Sequence, residues 1–156
     1  MKAVFAGTFD PFTEGHYEIV NAARGIFTDI TVAVADGCAK SAAPIETRCT
    51  LAKLSLGAMQ GVRVEAFSGL LTDFMQKNSC IYMIRGLRDV QDFLYEQNLA
   101  AVYASQNPEI KQIYFISAHK YKHVSSTIVR ELAALGGNLN GYAAAAAQTL
   151  IKKTYA

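Results

Sequence analysis

The segment GTFDPFTEGH, residues 7–16, places a histidine directly after a glycine at the predicted start of a helix. Asp10-Pro11 is typical of a turn, and Gly15 carries no side chain that would keep a ligand from the backbone. The N–H groups at a helix start favour anions, so His16 is predicted to face a phosphate. If Gly15-His16 is considered as an isolated pair, the alternative is that His16 is a surface residue at the end of a helix.

A second cluster, MIRGLRDVQDFLYE, runs from Met83 to Glu96 and follows a predicted strand. Arg85 and Arg88 lie on either side of a predicted bend at Gly86-Leu87. Two guanidinium groups so close together could offer forked donors to phosphate oxygens. Taken alone, they could equally be solvated surface charges, or partners of Asp89 and Asp92.

The third cluster, KYKHVSSTIVRE, contains Ser125, Ser126 and Thr127 at the predicted start of a helix. Their hydroxyl and backbone N–H groups could bind further phosphate oxygens. The alternative is an ordinary helix cap, for which one serine is enough. No role is assigned to His119 or His123.

Two further loops hold candidate residues. Lys40 lies in the polar segment DGCAKSAAP, and Leu70-Leu71 ends the segment FSGLL. A single loop lysine is usually solvated, and a pair of leucines usually belongs to a core. Anion-binding groups beside an apolar groove would suit a ligand with a phosphate at one end and a long chain behind it.

These clusters follow short apolar runs that alternate with helical patterns, which predicts an α/β fold. The fold is a single Rossmann-like domain whose five-stranded parallel sheet has helices on both faces, with ligands outside the carboxyl ends of the strands. The predicted strands are Lys2–Ala6, Ile30–Ala35, Val62–Ala66, Ile81–Ile84 and Gln112–Ile116.

Apolar residues at helical spacing follow each of the first two strands, and Val90, Phe93 and Leu94 begin another such stripe. The alanine-rich tail, residues 142–156, is predicted to be a C-terminal helix with limited docking, with disorder as the alternative. One domain over residues 1–156 is expected.

Composition narrows the class of protein. A chain of 156 residues with 51% hydrophobic content fits one core, and a net charge of +2 is far from that of a nucleic-acid or membrane-surface protein. Three widely spaced cysteines favour a reducing compartment. No apolar run is long enough for a signal peptide or a membrane span, so a cytoplasmic protein is expected.

The residues of the first cluster, TFDPFTEGH, resemble the TFDPxTxGH signature of bacterial phosphopantetheine adenylyltransferases, which belong to the nucleotidyltransferase superfamily with the (H/T)xGH motif. Thr13 stands where related cytidylyltransferases and nicotinate mononucleotide adenylyltransferases usually carry histidine. IRGLRxxxDFxYE is similar to the family's second signature. The third cluster resembles a serine-rich run that holds the β- and γ-phosphates of ATP, although Val124 and Thr127 depart from it and Tyr121 replaces a frequent tryptophan.

The resemblance implies transfer of AMP from ATP to 4′-phosphopantetheine, giving dephospho-coenzyme A and pyrophosphate in coenzyme A biosynthesis. Attack is direct, with no covalent enzyme intermediate. The resemblance also implies that His16 stabilises the transition state and that Lys40 and Arg88 are further catalytic residues. The implied substrate-binding residues are Thr8, Lys40, Leu70, Leu71 and Arg85. The implied ATP-binding residues are Thr8, Phe9, His16, Gly86, Leu87, Arg88, Glu96, Tyr121, Val124, Ser125, Ser126 and Thr127.

No metal site is expected on the chain, and Mg²⁺ would be delivered with ATP. The resemblance further implies a homohexamer and feedback inhibition by coenzyme A. Three alternatives remain open: a related nucleotidyltransferase such as a cytidylyltransferase, a redox Rossmann domain, and a non-catalytic nucleotide sensor. A redox Rossmann domain would carry a GxGxxG motif after the first strand, and this sequence has none there. A nucleotide sensor would bind ATP without turning it over.

Overall fold

The computed structural model describes residues 1–37 and 41–156, and their fold is a five-stranded parallel sheet flanked by helices. The strand order is β3-β2-β1-β4-β5, which confirms the predicted fold class. The strands are β1 (Lys2–Gly7), β2 (Asp29–Ala35), β3 (Val62–Phe67), β4 (Tyr82–Leu87) and β5 (Lys111–Ile116).

The described residues form six α-helices, and a single 3-10 turn at His119–Tyr121 follows β5. The helices are α1 (Glu14–Ala23), α2 (Ile45–Leu56), α3 (Leu71–Lys77), α4 (Val90–Gln106), α5 (Ser126–Ala134) and α6 (Ala145–Tyr155). Helices α1 and α2 pack on one face of the sheet, while α3 and α4 lie on the other. Helices α5 and α6 pack against α2, away from the sheet.

The central strands are buried on both faces, as the near-continuous apolar runs of β1 and β2 require. Because β1 pairs with both β2 and β4, the strand order reverses between β1 and β4. A crevice therefore opens outside the carboxyl ends of these two strands, where doubly wound sheets bind their ligands.

Strand β4 is longer than its apolar run predicts. It continues past Ile84 to Leu87, because Gly86 pairs with Phe115 and Leu87 with Ile116 of β5. The predicted bend at Gly86-Leu87 is therefore wrong: both residues belong to the strand, and Arg88 follows it.

The C-terminal segment packs more closely than expected. Helix α6 buries Ala147 and Ile151 completely in a cluster that includes Leu51 of α2 and Val129 of α5. The small alanine side chains let α6 lie close to its neighbours, so the expectation of limited docking is wrong. Among the described residues, no helix has the length and apolar character needed to cross a membrane.

Helix α4 shows the opposite behaviour. Its stripe of Val90, Phe93 and Leu94 faces outward, with Val90 71% exposed, while Glu96 is the buried residue of the helix. The three residues recur at helical spacing, but all of them stay largely exposed, and Phe93 reaches the sheet only through the ring of Tyr114 on β5, with the ring centroids 6.5 Å apart.

Candidate active site

A cleft of about 660 Å³ opens at the carboxyl ends of β1 and β4 and brings the three sequence clusters together. Its volume lies in the range of small-molecule sites. Asp10, Asp92 and Arg130 also line it. The predicted site residues along its wall are Thr8, Phe9, His16, Arg85, Gly86, Arg88, Glu96, Tyr121, Val124, Ser125, Ser126 and Thr127.

Other predicted site residues lie off this wall. Leu70 precedes α3 and is 55% exposed, while Leu71 packs beside Phe74 and Met75 on the other face of the sheet. Leu87 ends β4. Lys40 lies outside the residues that the structure describes.

His16 belongs to the capping structure of α1. Its ring Nδ1 accepts a hydrogen bond from the backbone N–H of Thr13 at 3.0 Å. The backbone N–H of His16 in turn donates to the Thr13 hydroxyl at 3.4 Å. The imidazole also lies against the rings of Phe9 and Phe12, with centroid distances of 5.0 and 5.2 Å. The His16 side chain therefore helps to cap α1, a role that its sequence pattern does not indicate.

This environment determines the protonation of His16. Burial lowers its pKa from 6.5 to about 4, and the positive charge of Arg88 adds to the effect. Because Nδ1 accepts the Thr13 N–H, the neutral ring carries its proton on Nε2. At neutral pH, His16 is thus an uncharged hydrogen-bond donor at the wall of the cleft.

Phe9 lies at the wall of the cleft, and its ring packs into the apolar core. Its side chain is buried, with only 4% exposed, and packs against Phe5 and Phe12. Its φ angle of 46° lies in the left-handed region that a bulky residue seldom adopts. The apolar contacts of the ring hold this turn just before Asp10.

Arg85 forms a buried ion pair with Glu96 of α4. Its Nε donates to Glu96 at 2.7 Å, Nη2 donates to the second carboxylate oxygen, and Nη1 donates to the carbonyl of Ala6 at 3.4 Å. The pair joins α4 to β1 and β4. Glu96, implied by resemblance as an ATP-binding residue, here holds the guanidinium in place.

Arg88 is also paired, but at the surface. Its Nε and Nη2 donate to the two oxygens of Asp92 at 2.9 and 3.1 Å, and its backbone N–H donates to the same carboxylate. Asp89 caps α4 by accepting from the Asp92 N–H. Pairing with Asp92, one of the alternatives that the sequence left open, therefore occurs.

The hydroxyl groups at the start of α5 have structural partners. The Ser125 hydroxyl accepts from the N–H of Ile128 at 3.3 Å, and Ser126 donates to the carbonyl of Pro11 at 2.8 Å. The first N–H groups of a helix have no partner inside the helix, so the backbone of α5 still offers donors to an anion.

A gap between α1 and Tyr121 completes the cleft. A Cβ atom built on Gly15 would lie 3.9 Å from Tyr121 and would meet no closer atom than the Thr13 hydroxyl, at 3.7 Å. Glu18 of α1 accepts from the N–H of Ala118 at 3.0 Å and so fixes the segment before Tyr121. His123 packs against Tyr142, and no role is proposed for it.

Sequence reasoning missed two buried charged residues, Asp10 in the wall of the cleft and Arg48 behind it. Asp10 is 3% exposed and accepts from the N–H of Ala42 at 2.6 Å. Arg48 is 1% exposed and donates to the carbonyls of Thr8 at 2.7 Å and Ala35 at 2.8 Å. One signal was present: Arg48 lies among the apolar positions of α2, where a solvated charge is not expected.

The carboxylates around the cleft are engaged with other groups. Asp10 binds backbone N–H groups, Asp92 binds Arg88, and Glu96 binds Arg85. Over residues 1–37 and 41–156, no group of three His, Cys, Asp or Glu side chains is placed to hold a metal ion.

Comparison with known proteins decides the family. A cytidylyltransferase-like family model matches residues 4–132. A phosphopantetheine adenylyltransferase of Herminiimonas arsenicoxydans is 39% identical, covering 91% of this chain and 88% of the relative. The enzyme of that name from Ralstonia pickettii (strain 12J) is 41% identical over 90% of this chain and 84% of the relative. The chain belongs to the phosphopantetheine adenylyltransferase family.

Solved structures share the fold at low identity. A nicotinic acid mononucleotide adenylyltransferase from Plasmodium falciparum superposes with a TM-score of 0.66 at 12% identity, over 97% of this chain and 94% of that one. A bifunctional NMN adenylyltransferase/ADP ribose pyrophosphatase from Francisella tularensis gives 0.71 at 16% identity, over 97% and 48%. The curated relatives and the family model confirm the family resemblance, and they set aside the redox Rossmann alternative.

Proposed function

We propose that this protein transfers AMP from ATP to 4′-phosphopantetheine, giving dephospho-coenzyme A and pyrophosphate in coenzyme A biosynthesis. The observation that supports it best is the convergence of the three family clusters on one cleft, in a chain 39% identical to a curated phosphopantetheine adenylyltransferase. The cleft combines a helix start, a neutral histidine donor and two arginines, which suit a substrate pair rich in phosphate.

The proposed reaction is a single in-line displacement. An oxygen of the phosphopantetheine phosphate attacks the α-phosphorus of ATP, and the bond from that phosphorus to the oxygen bridging to the β-phosphorus breaks. Pyrophosphate leaves with the bonding electrons. Because the nucleophile is already anionic at neutral pH, alignment and charge stabilisation are the main tasks of the protein.

The residues divide this work by their positions. The Nε2–H of His16 would donate to an α-phosphate oxygen as negative charge develops there. The residues proposed for the nucleophilic phosphate are Thr8, Lys40 and Arg85. Arg88 and the backbone N–H groups at the start of α5 would bind the β- and γ-phosphates.

Binding of adenine and of the pantetheine arm follows the family resemblance. The adenine would lie near Tyr121, and Gly86, Leu87, Val124 and Glu96 are proposed as further ATP-binding residues. Leu70 and Leu71 would contact the pantetheine arm beyond the cleft.

We propose that Mg²⁺ enters with ATP, since the nearby carboxylates already have partners on the chain. When bound, it would neutralise charge on the leaving pyrophosphate.

The decisive experiment supplies ATP and phosphopantetheine and measures pyrophosphate together with dephospho-coenzyme A. We expect the two products in equal amounts. Faster turnover of nicotinate mononucleotide, or of CTP with glycerol 3-phosphate, would overturn the substrate assignment. Binding of ATP without turnover would favour the nucleotide sensor.

The stereochemistry at phosphorus tests the number of steps. With ATP that carries a chiral α-phosphorothioate, a single displacement inverts the configuration at phosphorus. A covalent adenylyl-enzyme would require two displacements and would retain it. Retention would therefore contradict direct attack.

A cytoplasmic homohexamer is also proposed, on the resemblance and on the exposed apolar stripe of α4. Large exposed apolar surfaces are typical of protein interfaces. Leu94→Glu, at a position 49% exposed, should reduce the particle mass measured by light scattering. Ile26→Glu, 50% exposed and outside α4, is the matched control and should leave the mass unchanged.

Feedback inhibition by coenzyme A is the remaining proposal from the resemblance. Coenzyme A shares the pantetheine arm and the adenine nucleotide with the proposed product, so it should occupy the same cleft. Inhibition should then weaken as phosphopantetheine is raised. A pattern of inhibition independent of both substrates would argue for a separate site.

A further inference from the structure

The C-terminal helix contacts the loop between β1 and α1 through Tyr155. Its hydroxyl donates to Oδ1 of Asp10 at 2.6 Å, while the rest of α6 packs through apolar residues on α2 and α5. Burial raises the pKa of the Tyr155 hydroxyl, and the hydrogen bond to Asp10 raises it further. The hydroxyl therefore remains a donor across the physiological pH range.

Asp10 joins this helix to several other segments. Its carboxylate accepts from the N–H of Ala42 at 2.6 Å and of Ala43 at 3.3 Å. Arg130 of α5 donates to the backbone carbonyl of Asp10, and its Nη1 lies 4.0 Å from Oδ2. One buried carboxylate thus connects the loop, the segment before α2, and helices α5 and α6.

Arg48 closes the connection from the other side. It donates to the carbonyl of Ala43 at 3.0 Å and to the carbonyl of Thr8 at 2.7 Å. The segment at Ala43 is therefore tied to the loop twice, through its N–H to Asp10 and through its carbonyl to Arg48. A shift of the Asp10 carboxylate would be passed on to the backbone near Thr8.

We propose that Tyr155 is a positioning residue, whose hydroxyl fixes the Asp10 carboxylate and thereby the backbone around Thr8 that receives the phosphate of the second substrate. The inference rests on the proposed function, because Thr8 is assigned to that phosphate there. A buried carboxylate that loses one donor settles into a new position to recover its hydrogen bonding. Tyr155 can affect the rate although it lies away from the reacting atoms, because a small misplacement of a substrate-binding loop lowers the rate strongly.

The test compares Tyr155→Phe with Ile151→Val. The first removes one hydroxyl and keeps the ring, while the second trims the same apolar cluster and leaves the hydroxyl in place. Tyr155→Phe should lower kcat/KM for phosphopantetheine about ten-fold, the usual scale for a lost hydrogen bond to a charged group. Its ATP affinity, measured by calorimetry, should change less than about two-fold, because Ser126 still holds α5 to Pro11. Ile151→Val should keep both values.

Amide hydrogen exchange gives a readout independent of activity. In Tyr155→Phe, the N–H groups of Ala42 and Ala43 should exchange about ten-fold faster than in the wild type, after correction for overall stability. In Ile151→Val, the corrected rates should not change. These amides report directly on the position of the Asp10 carboxylate.

Two results would overturn the inference. One is a Tyr155→Phe enzyme whose kcat/KM stays within two-fold of the wild type, and the other is exchange at Ala42 and Ala43 that changes equally in both variants. Failure of the proposed function would look different: the wild type itself would not adenylate phosphopantetheine.

Discussion

The two sides of the cleft differ in how their charged groups are held. On the side of the β1–α1 loop, the buried Asp10 and the half-buried His16 bind the chain's own backbone. On the side of α4, Arg85 and Arg88 each hold a carboxylate of the same helix, and the outer pair is solvent-exposed. The loop side is organised before any ligand arrives.

This difference separates two kinds of anion site. Donors of the loop side, such as the Nε2–H of His16, are fixed in orientation and need no exchange of partners. The arginines of the α4 side must share their guanidinium groups between a carboxylate and a phosphate, or release the carboxylate. Substitutions on the two sides should therefore fail in different ways.

Breaking the buried pair of the α4 side should have the largest effect. Arg85→Ala leaves Glu96 as an uncompensated buried carboxylate, and the free energy of unfolding should fall by about 3–5 kcal/mol. Urea unfolding followed by circular dichroism measures this. Impaired use of phosphopantetheine is also expected, but in this variant alone it cannot be separated from the loss of stability.

A double variant separates the two effects. Arg85→Met with Glu96→Leu replaces the pair by apolar side chains and should recover most of the stability, while phosphopantetheine is still used poorly. A double variant that is both stable and fully active would show that Arg85 does not bind the substrate phosphate.

On the loop side, replacing His16 should act mainly on turnover. Loss of one preorganised donor to a developing charge typically costs about 10²–10³-fold in kcat, roughly 2.7–4 kcal/mol. His16→Ala should also lose about 1 kcal/mol of stability with its capping bond, whereas His16→Gln can reach back to the Thr13 N–H and keep it. Pyrophosphate release gives kcat, and calorimetry gives ATP affinity.

The two His16 variants together decide the role. Equal loss of kcat in both, with ATP affinity nearly unchanged, would assign the effect to the Nε2–H. If His16→Ala had near wild-type kcat, the histidine would be a capping residue, and the proposed charge stabilisation would be wrong.

The pH dependence of His16 is the next prediction. In the free protein, the imidazole should titrate near pH 4 with Nε2 protonated above that pH, as ¹⁵N NMR can show. The unfolded chain takes up this proton near pH 6.5, whereas the folded protein takes it up only near pH 4. The free energy of unfolding is therefore unaffected by His16 above pH 6.5 and falls as the pH is lowered from 6.5 towards 4. Between pH 7 and pH 5, the free energy of unfolding measured in urea should fall more in the wild type than in His16→Gln. An equal fall in both proteins would contradict the lowered pKa of His16.

The smallest effect is expected at the exposed pair of the α4 side. Asp92→Asn removes the charge that competes for Arg88, and such surface pairs contribute only about 0.2–1 kcal/mol. ATP affinity measured by calorimetry should therefore rise by up to about five-fold, with little change in the midpoint of unfolding. Lower ATP affinity in Asp92→Asn would mean that the carboxylate orients Arg88 for binding instead of competing with the ligand.

The sequence by itself determined the fold class, the family and most of the cleft wall. Strand-helix alternation predicts a parallel sheet, and the carboxyl ends of its strands bring loops together that are far apart in the chain. That is why His16, Arg88 and Ser125 could be expected at one edge of the sheet, while the assignment of Thr8 came from the family resemblance. Local patterns were sufficient for these residues because each lies at the end of a recognisable strand or the start of a helix.

Only the tertiary structure decided the partners of the charged groups. The link from Tyr155 to Asp10 spans 145 positions, and that from Arg48 to Thr8 spans 40, so no local pattern predicts them. The capping bond of His16 was missed for another reason, since its donor is a backbone N–H whose orientation depends on the turn at Thr13. Burial and hydrogen-bond direction are properties of the packed chain, and they set which donors face a ligand.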